Sequence, residues 1–493
     1  MDISKRKSTL GGDAITLTVS RVLVSLLGLV TSMLLARFRT LEEYGTYSQI
    51  IMVADLLSTA LLLGLPNSVN YFLAKAENKE DRQRFMSVYL TLSLLLSMVI
   101  TACAFAALPI IVSYFDNPMI TGFAYVFAAY PWSSLMINSL GNTCVVYGKA
   151  NRLIFFNLAQ SVCSILLLLV AKLFGIPFST YLVLQMVLLV LLAVAAILWI
   201  RHMVGSLRLS LNRSLIKEIF IFSIPMGLAS VVGTLNVELD KLVIGRFYNT
   251  QEYAIFTNAA KQLPVTVLTD SLTAVLLPCI VRLMKENRKD DVVKVWGNAI
   301  QIAFCIMCLI AGGLFVFAPD VMTLFYSAKY ATPEGIAVFR IYAVMLLLRF
   351  TYWGIVLNAT GNTKFILYSS IASMLLNLLG NVGMYYAFGF IGPAVSTVAV
   401  TFVIALFQIY FTKKQLQTTI SEIFPWRSMF ICLMQTLVLG CVFWIIRYVL
   451  LNGLHSVASV AISVILGIVW AICYILISRK NLHSNWKLLN TWR

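Results

Sequence analysis

Nine charged side chains stand inside long apolar runs of this 493-residue chain: Arg21, Asp55, Glu238, Asp240, Lys241, Lys261, Asp270, Arg340 and Arg349. An ionised group facing lipid costs several kcal/mol, so each needs a partner or a watery cavity. Arg21 and Arg349 make the strongest demand, because a guanidinium keeps its charge at any physiological pH and calls for an anion. At about 1.5 Å of rise per residue, Arg21 lies a third of the way into its run and Arg349 near the middle. Lys261 lies in the outer half, Asp55 near mid-depth and Asp270 deeper toward the inner side. Each has a plainer reading beside the functional one. Asp55 and Asp270 serve as hydrogen-bonded packing residues or as cavity groups. Glu238, Asp240 and Lys241 pair among themselves or with Arg246, or line a cavity. Arg340, near the outer end of its run, snorkels outward or joins the same set.

The runs that must position these residues dominate the composition. The chain is 60% hydrophobic and 12% charged, with mean hydropathy +0.89, whereas a soluble domain carries about 25% charge. Runs of roughly 20 apolar residues, each long enough to span a bilayer as a helix, recur from end to end. The expected fold class is an all-α polytopic membrane protein. A transmembrane β-barrel is excluded, because its strands would be short and alternating. Fourteen spans are expected, at 14–36, 46–73, 86–112, 119–146, 153–174, 178–200, 218–245, 253–281, 295–318, 335–360, 365–388, 390–412, 426–447 and 456–478.

The net charge of +17 does not imply nucleic acid, because the basic residues lie in short segments between apolar runs. With the N-terminus inside, 26 Lys and Arg fall in inner segments and six in outer ones. By the positive-inside rule both termini are cytoplasmic. The polar start, Met1 to Asp13, leads into a run too long for a cleaved signal, so none is expected. The nine cysteines fall mostly within spans. Cys305 and Cys308 lack a second cysteine pair or nearby histidine, so no metal site is expected.

One pattern occurs twice, 209 residues apart. Arg37-Phe38, Glu43-Tyr44 and Ser48 recur as Arg246-Phe247, Glu252-Tyr253 and Thr257. The inner loop Glu77-Asn78-Lys79-Glu80-Asp81 recurs as Glu286-Asn287-Arg288-Lys289-Asp290. Gly148-Lys149-Ala150-Asn151-Arg152 parallels Gly361-Asn362-Thr363-Lys364, and Phe174 to Pro177 parallels Phe390 to Pro393. Spans 1–6 and 7–12 therefore read as two copies of a six-helix lobe that enter the membrane from the same side, the parallel-repeat arrangement of many transporters. The expected organisation is a lobe at 1–201, a basic linker at 202–217, a second lobe at 218–412, and two added helices with a cytoplasmic tail at 413–493. The charged spans include the first two of each lobe, pointing to one shared cavity. Pro264 is the repeat counterpart of Asp55. With Pro225 and Pro131 it breaks a span, as either a static kink or a hinge.

No soluble catalytic domain is expected. The sequence holds no phosphate-binding lysine loop, no His-Glu-x-x-His and no Gly-x-Ser-x-Gly, so no catalytic residue and no cofactor is assigned and the chain is read as not an enzyme.

Several stretches together resemble a known family: Leu35-Ala36-Arg37-Phe38, Glu43-Tyr44-Gly45, Leu63-Gly64-Leu65-Pro66-Asn67-Ser68, Ser223-Ile224-Pro225, Asp240-Lys241-Leu242-Val243-Ile244-Gly245, and Asn358-Ala359-Thr360-Gly361-Asn362 followed by Asn377 and Gly392-Pro393-Ala394. The chain resembles the bacterial polysaccharide-biosynthesis exporters, the Wzx-type O-antigen and capsule flippases. These belong to the superfamily that also holds the multidrug and toxin extruders and the lipid II flippases. The resemblance implies two lobes around a central cavity, working by alternating access in the bacterial inner membrane. It implies as substrate an undecaprenyl-pyrophosphate-linked oligosaccharide moved from inner to outer leaflet, its lipid tail left in the bilayer. Under it, Arg21, Lys261 and Arg349 are the candidate pyrophosphate site. Asp55, Asp240, Lys241 and Asp270 are candidate cavity or coupling residues for H⁺ or Na⁺. A lipid II flippase and a multidrug antiporter of the same fold are the alternatives. The antiporter is disfavoured because basic residues outnumber acids within the spans, five to four. A membrane polymerase acting on the same glycans would need a large outer loop, and the longest expected here is short.

Overall fold

The computed structural model describes residues 10–261, 266–451 and 456–490, in which the regular secondary structure is helical, with no strand. The chain forms two compact units, one of Met1–Glu238 with Gly245–Ala254, the other of Leu239–Ile244 with Ile255–Arg493.

The first unit contains α1 (Leu10–Phe38), α2 (Leu41–Leu61), α3 (Leu65–Lys75), α4 (Lys79–Phe115), α5 (Met119–Gly122), α6 (Val126–Val146), α7 (Ala150–Leu173) and α8 (Phe178–Val204). It also takes most of α9 (Arg213–Phe247) and the start of α10 (Thr250–Ala259). Its core gathers Leu65, Val69, Met86, Tyr89, Leu140 and Ile200 from α3, α4, α6 and α8. The Tyr89 hydroxyl is satisfied within this core, its Oη lying 2.6 Å from Ser139 Oγ.

The duplicated pattern gains a local cause here. Thr40 and Glu43 form a capping box, with Glu43 N–H donating to Thr40 Oγ1 at 3.1 Å and Thr40 N–H to the Glu43 carboxylate at 3.0 Å. In the second copy Asn249 and Glu252 exchange the same two bonds, at 2.9 and 3.2 Å. Both glutamates therefore start a helix, occupying N–H groups that would otherwise be orphaned. The arginine of the second copy, Arg246, reaches instead to the end of α4, donating to the carbonyls of Ser113 and Tyr114 at 3.3 and 3.4 Å.

The expected linker is not a slack tether. After α8, Gly205 takes φ +116, and residues 205–212 run extended along α4. Arg208 N–H donates to Ser87 Oγ at 3.2 Å and Ser210 N–H to Thr91 Oγ1 at 3.0 Å. Residues two apart in an extended chain and four apart on a helix both advance about 6–7 Å, so the two ladders register.

The second unit contains the rest of α10, then α11 (Thr266–Lys285), α12 (Lys289–Val316), α13 (Ala318–Tyr326), α14 (Pro333–Met345), α15 (Ile355–Ala359), α16 (Thr363–Phe388), α17 (Gly392–Leu416), α18 (Ile420–Ile423), α19 (Trp426–Leu451) and α20 (Ser456–Asn490). Its core is built on α12, where 56% of the apolar window is buried, against 22% in α19 and 17% in α20. The added pair α19–α20 docks on α12 through Trp470. Its Nε1 donates to Leu309 O at 3.0 Å, and a Cβ on Gly312 would come within 2.8 Å of the indole. Small residues allow such close approach in a membrane helix pair.

Among the described residues, eight helices are long and apolar enough to cross a bilayer, nine with the bent pair α2–α3. Fourteen apolar runs are expected from the sequence, and several prove to be interrupted. The run at 46–73 divides into α2 and α3, bent by 50°. The run at 253–281 divides into α10 and α11, and that at 335–360 into α14, a single 3₁₀ turn and α15. Hydropathy averages over such breaks, because the apolar side chains continue through them.

Candidate functional site

The first interruption is built by backbone contact. Leu63 and Gly64 both take positive φ, +50 and +75. A Cβ on Gly64 would lie 2.2 Å from Ser223 O, and one on Gly227 would lie 2.4 Å from the Leu63 carbonyl carbon. The α2–α3 corner thus rests directly on α9 beside Pro225, and only glycine fits on either side.

Asp55 stands on α2, less than two turns before this corner. Tyr130 Oη of α6 donates to its Oδ1 at 3.0 Å. The Glu238 carboxylate of α9 also acts on it electrostatically, and Asp55 in turn acts on the Tyr47 phenol of α2. This is a half-buried carboxylate held by a phenol, with a second acidic group near it.

The second unit contains a denser constellation. Asp240, 5% exposed on α9, accepts the Lys241 N–H at 2.7 Å on Oδ1. Its Oδ2 accepts a hydrogen bond from Tyr342 Oη of α14. The guanidinium of Arg349 acts electrostatically on both Tyr342 and Asp240. Asp240, Tyr342 and Arg349 are therefore one network of carboxylate, phenol and guanidinium.

Arg349 is presented by the break itself. Residues 346–348 form one 3₁₀ turn, and α15 does not begin until Ile355. Two carbonyls left without helical partners are taken up by side chains: Trp353 Nε1 donates to Leu348 O at 2.9 Å and Thr269 Oγ1 to Arg349 O at 2.8 Å. Trp296 Nε1 holds the Thr351 side chain, donating to its Oγ1 at 3.0 Å. Phe350 packs edge-on against Phe304 and Trp353. Non-helical backbone at membrane depth persists only where protein or a polar cavity satisfies it. No proline marks this break. Its only signal in the sequence is Tyr352-Trp353-Gly354, three poor helix formers in a row following Arg349 and Phe350.

Lys261 also stands at an interruption: α10 ends at Ala259 and α11 begins at Thr266. Lys261 is half-buried there, its N–H donating to Asn258 O at 3.3 Å. Two of the three cations assigned to an anion thus stand where spanning helices are broken. Arg21 lies in α1 and Asp270 in α11, but both side chains, and Pro264 entirely, lie outside the described residues.

Other charges have structural partners. Arg340 donates to Phe315 O at 3.1 Å and stacks over the rings of Phe315 and Trp444, 5.4 and 4.6 Å from their centroids. Arg447 pairs with Asp320 at 2.6 Å. Reading charges alone also passes over a neutral stripe. Ser369, Ser373, Asn377 and Asn381, four residues apart on α16, are all buried, and Gln408 of α17 donates to Ser369 Oγ at 2.8 Å. The regular spacing of small polar residues was its available signal.

The model of a family described as polysaccharide biosynthesis protein matches residues 34–334. The chain is 24% identical over 205 residues to the capsular polysaccharide biosynthesis protein CapF of Staphylococcus aureus, 41% of this chain and 52% of that one. It is 20% identical over 182 residues to the probable low-salt glycan biosynthesis flippase Agl15 of Haloferax volcanii, 37% of this chain and 39% of that one. The chain thus spans about half or less of the length of these relatives. Its fold is similar to that of the lipid II flippase MurJ in an inward closed conformation, with TM-score 0.70 over 94% of this chain and 99% of that one, at 14% identity.

Proposed function

The chain belongs to the polysaccharide biosynthesis protein family, and from that premise we propose that it is a flippase. Its substrate is an undecaprenyl-pyrophosphate-linked oligosaccharide repeat unit. The unit moves from inner to outer leaflet of the bacterial cytoplasmic membrane by alternating access of two six-helix lobes, 1–201 and 218–412, with 413–493 as an added pair. Both termini face the cytoplasm.

The observation that carries this reading is the placement of Arg349 and Lys261 at breaks in membrane helices. A pyrophosphate needs several cations and donors converging on a small volume. A broken helix adds backbone N–H groups to the side-chain charge. Arg21 completes the proposed set from sequence. Asp240 and Tyr342 keep Arg349 in place before substrate arrives and partly balance its charge. Asp55, Lys241 and Asp270 are the remaining cavity or ion-coupling candidates, with H⁺ or Na⁺ as the coupling ion. The glycan and capsule names of the relatives support the substrate class.

Deletion followed by lipid analysis tests the proposal. One undecaprenyl-linked repeat unit should accumulate on the cytoplasmic face, and normal surface glycan in the deletion strain would refute it. The fold likeness to MurJ gives weight to a second reading, export of lipid II. Growth of a strain depleted of its own lipid II flippase, restored by this chain, would select that reading.

A further inference from the structure

A cleft of about 530 Å³ opens at the shared end of the antiparallel helices α7 and α8, lined by Asn151, Arg152, Phe155, Trp199 and His202. We propose that it binds the phosphodiester headgroup of an anionic phospholipid from the inner leaflet. Its lining includes none of the residues assigned to the exported substrate, and the proposal is independent of that assignment.

The lining divides by chemistry. Asn151, Arg152 and His202 are exposed and polar, and supply N–H donors and positive charge. Phe155 is 66% exposed, and Trp199 lies beside it on α8, tilted against Phe156 at 5.6 Å. Aromatic rings at this depth sit at headgroup level, with acyl chains on their other side. Lys149 and Arg201 are sequence neighbours of the lining residues, and neither 149–155 nor 199–213 contains an Asp or Glu. A basic pocket between spanning helices at the cytoplasmic side is the feature that holds anionic lipid headgroups.

The duplication gives an internal control. At the repeat offset that aligns Gly148 with Gly361, Arg152 falls opposite Phe365. Phe365 stacks on Phe411 of α17, ring centroids 4.1 Å apart. An aromatic stack thus takes the place that Arg152 leaves polar and open in the first unit. Arg152 itself is not repeated, although the same offset sets Lys364 opposite Asn151.

The test uses the purified full-length protein reconstituted in equimolar phosphatidylcholine and phosphatidylglycerol, with retained lipids counted by native mass spectrometry. The wild type should keep phosphatidylglycerol in preference to phosphatidylcholine. Arg152→Gln should weaken that preference about five-fold, as expected for one cation at a membrane surface, while Arg152→Lys should keep it. Photoactivatable phosphatidylglycerol on the unmodified protein should label Asn151 to Phe155 or Trp199 to His202. Three results would overturn the proposal: no preference in the wild type, full preference in Arg152→Gln, or labelling confined to other segments. Displacement by soluble glycerol phosphate at matched concentration would also overturn it, by showing a free-phosphate site.

Discussion

At the scale of single residues, the weight falls on Arg349 and its partners. A largely buried guanidinium is tolerable here because Asp240 and Tyr342 act on it electrostatically. Removing one partner of a buried polar pair strands the other. Tyr342→Phe should therefore cost about 1–3 kcal/mol of stability, read as a lower melting temperature in detergent. Arg349→Ala and Arg21→Ala should each abolish export while the protein still reaches the membrane; wild-type export in both would remove the proposed anion site. Arg340 serves as the contrast. Its carbonyl bond and two ring contacts are structural, so Arg340→Gln should lower stability and leave export intact.

At the scale of elements, corners and caps do the positioning. The α2–α3 corner puts backbone against backbone at Gly64 and Gly227. Gly64→Ala adds a side chain where no room exists and at a positive φ, for an expected loss of about 1–3 kcal/mol; an unchanged melting temperature would mean the corner can open. The caps are milder. Asn249→Ala should cost about 1 kcal/mol, the usual range for a lost N-cap. The strap of residues 205–212 invites a different measurement. Ser87→Ala with Thr91→Ala removes the acceptors of the Arg208 and Ser210 amides, which should then exchange hydrogen faster while the α4 amides stay protected. These devices were only partly legible beforehand. The Glu43 and Glu252 pattern was visible, but as an alignment marker; capping explains why it is duplicated. The break at Arg349 is marked only by Tyr352-Trp353-Gly354, a weak signal, because no proline or run of polar residues interrupts the apolar pattern there.

At the scale of the whole molecule, export of an anion from a negative interior is favoured by about 2.3 kcal/mol per charge per 100 mV. Flipping in vesicles should therefore speed up when the potential is imposed inside-negative in the physiological sense, and indifference to both potential and ion gradients would count against the mechanism. Composition by itself determined the helical membrane class, since a chain 60% hydrophobic with runs of bilayer length has no other way to satisfy its backbone. The 209-residue repeat, drifting to 213 between Gly148 and Gly361, is a sequence pattern that suggests a duplicated plan, because turn residues diverge less than the apolar filler. Position within a run also marked Arg349 and Asp240 as residues in need of partners. What each partner is, only the tertiary structure decided. Tyr342 is 102 residues from Asp240 and is aromatic like many of its neighbours, so nothing local distinguishes it. The same holds for the breaks that present Lys261 and Arg349. At Arg349 the span fails where a long-range contact from Thr269 takes up a backbone carbonyl and Trp296 holds the Thr351 side chain, and contacts between distant segments leave no period in the sequence.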